Sequence, residues 1–171
     1  MKRIMILALL LTLGITGAQA QKFALIDMEY ILSNIPAFER ANEQLELISK
    51  KWQAEVENLQ EEAQNLYKKY QADLVFLSEE MKSKRVAEVV AKEQEAMELK
   101  RNYFGTDGEF YKKRESLIRP IQDEIYSAIK DIAEKQGYAV VIDRASAMSI
   151  FYATPKIDIS NEVLTKLGYT K

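Results

Sequence analysis

From Ala37 to Tyr103 the chain carries neither glycine nor proline, the two residues that most reliably interrupt helices. A globular helix ordinarily runs about 8–20 residues, so this stretch predicts one very long helix or two antiparallel ones. Within it Leu45, Ile48, Trp52, Val56, Leu59, Ala63, Leu66, Tyr70, Leu74 and Leu77 follow one another at spacings of 3-4-4-3-4-3-4-4-3. That is an a/d seam of period near 3.5, the coiled-coil pattern. Glu, Gln, Lys and Asn fill the faces between, and most positions hold good helix formers. A leg from Pro36 to about Leu77 would reach roughly 60 Å at about 1.5 Å per residue. Its apolar seam needs a partner, either a returning leg or another chain.

The punctuation around the stretch favours a hairpin. Pro36 suits the first position of a helix, where its missing N–H costs nothing, and Asn34 is the nearby candidate cap. Ser78 can cap a second helix with Glu79 and Glu80 in its first turn, which puts the tip there; Gly105 is the other candidate. Lys82, Lys84 and Arg85 then read as a solvated helix face. The return leg, about Glu79 to Gln136, has a poorer seam through Val86, Val89 or Val90, Met97 and Phe104, with Glu93 and Lys100 at positions a tight coiled coil gives to leucine. Gly105-Thr106-Asp107-Gly108 interrupts it, two glycines costing roughly 2 kcal/mol against alanine. A bend is expected rather than a true turn, because apolar spacing resumes at Phe110. Pro120 supplies a second kink. Ile121–Gln136 would run past the arm's base into a body, with Gly137 ending it.

The two ends of the chain supply that body. Lys22–Asp27 and Tyr138–Asp143 read as strands, Ser149–Ala153 as a third forming a hairpin with the second, and Ser160 as the cap of a short helix over Asn161–Leu167. Three short strands make a meagre core, so self-association through the body is expected. The fold class is α+β and mostly α: a coiled-coil-like helical hairpin at 36–136 on a small β-rich body at 21–35 and 137–171. Residues 1–20 read as a secretory signal peptide, with basic Lys2 and Arg3, an apolar core Ile4–Ile15 and Ala18-Gln19-Ala20 before a cleavage at Gln21. No later run is long and apolar enough to predict membrane insertion.

Composition narrows the chemistry. There is no histidine and no cysteine, so thiol nucleophiles, disulfides and the common zinc ligand sets are excluded. No Ser-centred or Gly-rich catalytic motif occurs, no cofactor is implied, and an enzyme would have only Asp/Glu chemistry. Without Lys2 and Arg3 there are 22 basic and 26 acidic residues, a balance that argues against nucleic acid as a partner. Asp27 and Asp143 both end apolar strands. Paired carboxylates can hold a metal or work as acid and base; the plainer expectation is that each satisfies backbone donors at a turn.

The order of elements resembles the Skp/OmpH family of periplasmic outer-membrane-protein chaperones. The resemblance rests on the strand ending in Asp27, the long hairpin, Tyr138–Asp143, and the closing Asp158-Ile159-Ser160-x-x-Val163-Leu164-x-x-Leu167. It implies a homotrimer whose bodies share a β-structure and whose arms surround a cavity. It implies an ATP-independent holdase for unfolded outer-membrane β-barrel precursors in the periplasm, with no catalytic residues. The best-known members carry basic arms, whereas this chain is acidic. An exported coiled-coil scaffold bridging envelope proteins is the alternative.

Candidate sites follow from these readings. Leu74, Val75, Phe76 and Leu77 are four consecutive apolar residues at the tip, which either close the hairpin or contact clients. Trp52, Tyr67, Tyr70, Tyr103, Phe104, Phe110 and Tyr111 are spread along the arm, as core where they meet the seam. Phe23, Leu25, Val140, Ile142, Ile150 and Tyr152 alternate on the strands as candidate subunit contacts. Gly105, Gly108 and Pro120 are candidate hinges.

Overall fold

The computed structural model describes residues 21–147 and 150–169; residues 1–20, expected as a signal peptide, lie outside them. The chain runs β1 (Lys22–Ile26), α1 (Met28–Ser33), α2 (Pro36–Asp73), α3 (Glu79–Phe104), α4 (Glu109–Gln136), β2 (Tyr138–Asp143) and α5 (Ser160–Lys166), with 3-10 turns at Leu74–Phe76 and Pro155–Ile157. It is mostly helical, with a small sheet at the base.

Helix α2 has 38 residues, a rod of about 57 Å. Pro36 opens it, but Asn34 does not cap it. The Asn34 amide instead donates to the Tyr30 carbonyl at 2.7 Å and closes α1. The chain reverses at Leu74–Ser78, not at Gly105. Ser78 caps α3, its hydroxyl accepting from Met81 N–H at 3.3 Å, with Glu79 and Glu80 in the first turn.

All ten seam positions on the outgoing leg are buried or half-buried. The return leg differs from its apolar pattern. Val86, Val90 and Met97 are exposed, and the residues facing α2 are Lys82, Arg85, Val89, Lys92, Ala96, Leu99 and Tyr103. The physical reason is amphipathicity: aliphatic stems of lysine and arginine cover the seam while their charges reach the rim. Lys92 illustrates it, its ammonium 3.2 Å from Glu62 on α2 and 2.7 Å from Glu95 on its own helix.

At Gly105–Gly108 the helix does not bend; it stops and restarts. A Cβ on Gly105 would stand 2.5 Å from the Arg101 carbonyl oxygen, and one on Gly108 2.7 Å from that of Tyr103, so backbone packs on backbone where any side chain would collide. Both α3 and α4 nonetheless run along α2. Trp52 faces Tyr103 and Leu45 meets Ile118, so seven residues of the outgoing leg are matched by fifteen of the return. Pro120 sits inside α4 without interrupting it.

In the body β1 and β2 pair in parallel, Phe23 opposite Val140 and Leu25 opposite Ile142. Ala24 and Ile26 turn to the other face and form the core with Ile31, Ile35, Ile125, Ala128, Ile132, Ile159, Val163 and Leu164. Gly137, left-handed at φ 71, sends α4 straight into β2, its N–H bonded to the Ala133 carbonyl. The expected hairpin from β2 into a third strand is not formed: Ile150–Ala153 has no strand pairing, and Ser149 lies outside the described residues. The cause is local. Asp143 accepts from Ala145 N–H through its carboxylate and from Ala147 N–H through its carbonyl, turning the chain away from the sheet. Phe151 and Tyr152 are left 98% and 87% exposed. Ser160 also departs from its expected role as a cap; its hydroxyl accepts from Asp27 N–H at 2.8 Å, while Asp158 accepts from Ser160 N–H at 2.9 Å.

Candidate functional site

Two surfaces and one polar cluster stand out. The first surface is the sheet face turned away from the helices. The parallel register sets Phe23 beside Val140 and Leu25 beside Ile142. Phe23 and Val140 are exposed and Ile142 half-buried. Leu25 is only 5% exposed, because the segment around Asp158 bridges to it and Ile159 N–H donates to its carbonyl; Leu25 is therefore packed within its own chain. Ile150 is half-buried and Tyr152 exposed beside this base. Parallel strands are ordinarily covered on both faces, so a face with this much bare apolar surface is unsatisfied in one chain.

The second surface is the arm. At its apex Val75 and Phe76 are 88% and 87% exposed, while Leu74 and Leu77 are half-buried and close the turn. Exposed apolar side chains at such a place make it a candidate interaction surface. Lower down, Trp52 stacks on Tyr103 with centroids 4.6 Å apart and planes 7° from parallel, and Phe104 meets both rings edge-on. Phe110 continues the cluster across the break. The Tyr103 hydroxyl donates to Glu55, and that bond and burial hold its proton on, raising the phenol pKa. The candidate hinges sit apart: Gly108 is buried under this cluster, whereas Pro120 is exposed nearer the base.

The polar cluster ties the chain ends together. Arg144 donates from Nη2 and Nε to Asp27 Oδ2 at 3.0 and 3.2 Å, and its Nη1 lies 3.4 Å from Asp158 Oδ2. Asp27 also caps α1, accepting from Tyr30 N–H at 2.9 Å. That backbone bond, with the Arg144 guanidinium acting in the same direction against burial, holds its carboxyl below the usual range. Asp143 accepts from Met28 N–H at 3.1 Å. Both aspartates thus do the plain work of satisfying backbone donors, and among the described residues no group of three acidic, His or Cys side chains is placed to hold a metal. Arg144 is the residue that periodicity passes over. Its signal is chemical: a cation directly after a strand that closes on an aspartate.

Among the described residues, no helix is long and apolar enough to cross a membrane. The family described as Outer membrane protein (OmpH-like) matches residues 22–167 of this chain. A chaperone protein Skp of Yersinia enterocolitica is 30% identical over 153 residues, 88% of each chain. One from Pectobacterium atrosepticum is 28% identical over 163 residues, 94% of each. A solved structure from Caulobacter crescentus, described as a candidate OmpH-like outer membrane chaperone, superposes with a TM-score of 0.67 at 17% identity, covering 90% of this chain and 88% of that one; at that identity the likeness speaks for the fold.

Proposed function

We propose, because the chain belongs to the OmpH-like family of outer membrane proteins, that it is a chaperone for unfolded outer membrane proteins. It works as a holdase in the periplasm, after removal of residues 1–20, without nucleotide, cofactor or catalytic group. The observation that carries the reading is the pairing of a bare apolar sheet face at the base with a long hairpin whose apex exposes Val75 and Phe76. Three copies joined through Phe23, Val140, Ile142, Ile150 and Tyr152 cover that face and set three arms around a common space. Leu25 lies on the same face but is covered by the segment around Asp158 of its own chain. An unfolded barrel strand held in that space is kept from pairing with the edges of others, the route to aggregation. Gly105, Gly108 and Pro120 let the arms adjust to clients of different size.

The test is light scattering from a urea-unfolded outer-membrane β-barrel protein diluted into buffer with the chain from Gln21 to Lys171 and no nucleotide. Aggregation should fall at a ratio near three chains per client. Unchanged scattering at excess chain refutes the holdase reading.

A further inference from the structure

The two sides of the arm are chemically different. In an antiparallel hairpin the residues flanking the seam fall into two rows, one on each side. One row is mostly acidic: Glu62 on α2, and Glu88, Glu95 and Glu98 on α3, with Lys69 and Lys84 nearer the apex. Two of these glutamates are bound to seam Lys92, which fixes the row's side. The other row, with one glutamate, holds Gln60, Gln64 and Tyr67 on α2 and Val86, Val90, Glu93 and Met97 on α3. Its four large apolar members, Tyr67, Val86, Val90 and Met97, are all exposed. A groove of about 400 Å³ opens on this side. Its floor is Ala63 and Ala96, small seam residues that are themselves buried, and Glu93 is its one charged wall.

We propose that this neutral side of the arm is the surface that takes up client chains, and that its ligand is an extended, apolar, uncharged polypeptide segment. The assignment rests on the chaperone reading above and says which side of the arm performs it. Three arguments converge. First, an extended segment presents unpaired N–H and C=O groups, and a glutamine amide offers both a donor pair and an acceptor. Gln60 and Gln64 are one helical step of about 6 Å apart, close to the roughly 6.6–6.8 Å at which alternate residues of a strand recur. Val86 and Val90 repeat that step on the facing helix, suited to the strand's apolar side chains. Second, the charge is complementary to such a segment only here. On the opposite side the same apolar residues would strip water from a row of carboxylates, and although Arg85 and Lys92 pair with three of them, desolvating an ion pair is itself costly. Third, four apolar side chains are far fewer than the roughly 20–30 residues a side of a stable folded interface. The patch suits one weak contact among several on a flexible chain, where linkage multiplies modest affinities, and not a folded partner or a second arm.

Photo-crosslinking tests it. Benzoylphenylalanine is placed at Val90 or Met97 on the neutral side, or at Glu62 or Glu98 on the acidic side, in the chain from Gln21. Each is mixed with a urea-unfolded β-barrel protein. Client adducts should form chiefly from Val90 and Met97. Equal yields from both sides, or chain-to-chain adducts from Met97 in the absence of client, overturn the assignment even where the same samples suppress aggregation and the chaperone reading stands. In parallel, the double variant Val90→Glu and Met97→Glu should raise the chain concentration that halves aggregation by about tenfold, with far-UV CD and oligomer mass unchanged, while Glu98→Gln leaves that concentration where it is. Suppression by the double variant equal to that of the native chain overturns the assignment. Absence of suppression by the native chain removes the chaperone reading and the assignment together.

Discussion

Replacing Arg144 with alanine tests how the two ends of the chain are held together. The substitution removes two hydrogen bonds to Asp27, at 3.0 and 3.2 Å, and the ion pair to Asp158 at 3.4 Å. A hydrogen bond to a charged group contributes about 1.5–3 kcal/mol when protected, and an exposed ion pair about 0.2–1 kcal/mol. The Arg144 side chain is 51% exposed and that of Asp27 21%, so solvent screens the guanidinium end. The expected loss is about 1–2 kcal/mol at neutral pH, part of it from leaving two carboxylates with no cation between them. The loss has a pH signature. The Asp27 carboxyl is held below its ordinary value of 3.8, first by the Tyr30 N–H and then by Arg144. A group depressed in the folded state contributes stability above its unfolded pKa and loses it as pH falls through the folded one. Arg144→Ala should therefore lower the urea midpoint at pH 7 and do so much less at an acid pH below the folded pKa of Asp27, where the carboxyl is protonated with or without its partner. The assay is urea unfolding followed by far-UV CD at one fixed chain concentration, because the proposed self-association would make apparent stability concentration-dependent. No loss at pH 7, or an equal loss at both pH values, would refute the reasoning.

Other outcomes are equally definite. Ile125 is fully buried in the body core, so Ile125→Ala should cost about 2–5 kcal/mol in the same unfolding assay. Gly137 stands at φ 71 with open space around it, so Gly137→Ala should cost about 1–2 kcal/mol through backbone strain alone, and Gly137→Asn less. Pro120→Ala restores the hydrogen bond to the Ser116 carbonyl within α4; amide exchange near residue 120 should slow and the unfolding midpoint rise. The pair Phe23→Asp and Val140→Asp places charge on the bare sheet face, and sedimentation should show the proposed trimer replaced by monomer while the arm's helical signal persists.

The outgoing leg was legible because its seam is written in apolar residues. Leu45 through Leu77 are all covered where period 3.5 puts them, and Ser78 marked the reversal by the ordinary chemistry of a cap. The return leg misled for a related reason. Its conspicuous apolar residues, Val86, Val90 and Met97, lie beside the seam, and the seam itself holds Lys82, Arg85 and Lys92. Pattern assigns a lysine to solvent by its charge, whereas packing uses its stem. The third strand failed differently. Ser149–Ala153 has the composition of a strand, but the turn at Asp143 offers it no edge within its own chain. The parallel pairing of β1 with β2 is non-local and has no trace in either segment alone, and the Asp27–Arg144–Asp158 cluster is invisible for the same reason.

That parallel pairing also orders events in time. Met28 N–H and the Asp143 carboxylate meet across 115 residues of intervening chain. Closing a loop of that length from an unstructured chain costs about 4 kcal/mol, more than a two-stranded sheet can return. A hairpin already zipped along α2 removes most of that cost, because it delivers its own two ends to one place. The arm is therefore expected to form before the base. β1, near the start of the chain, waits without a partner until β2 has followed, and the face that other copies would recognise does not exist until both have arrived.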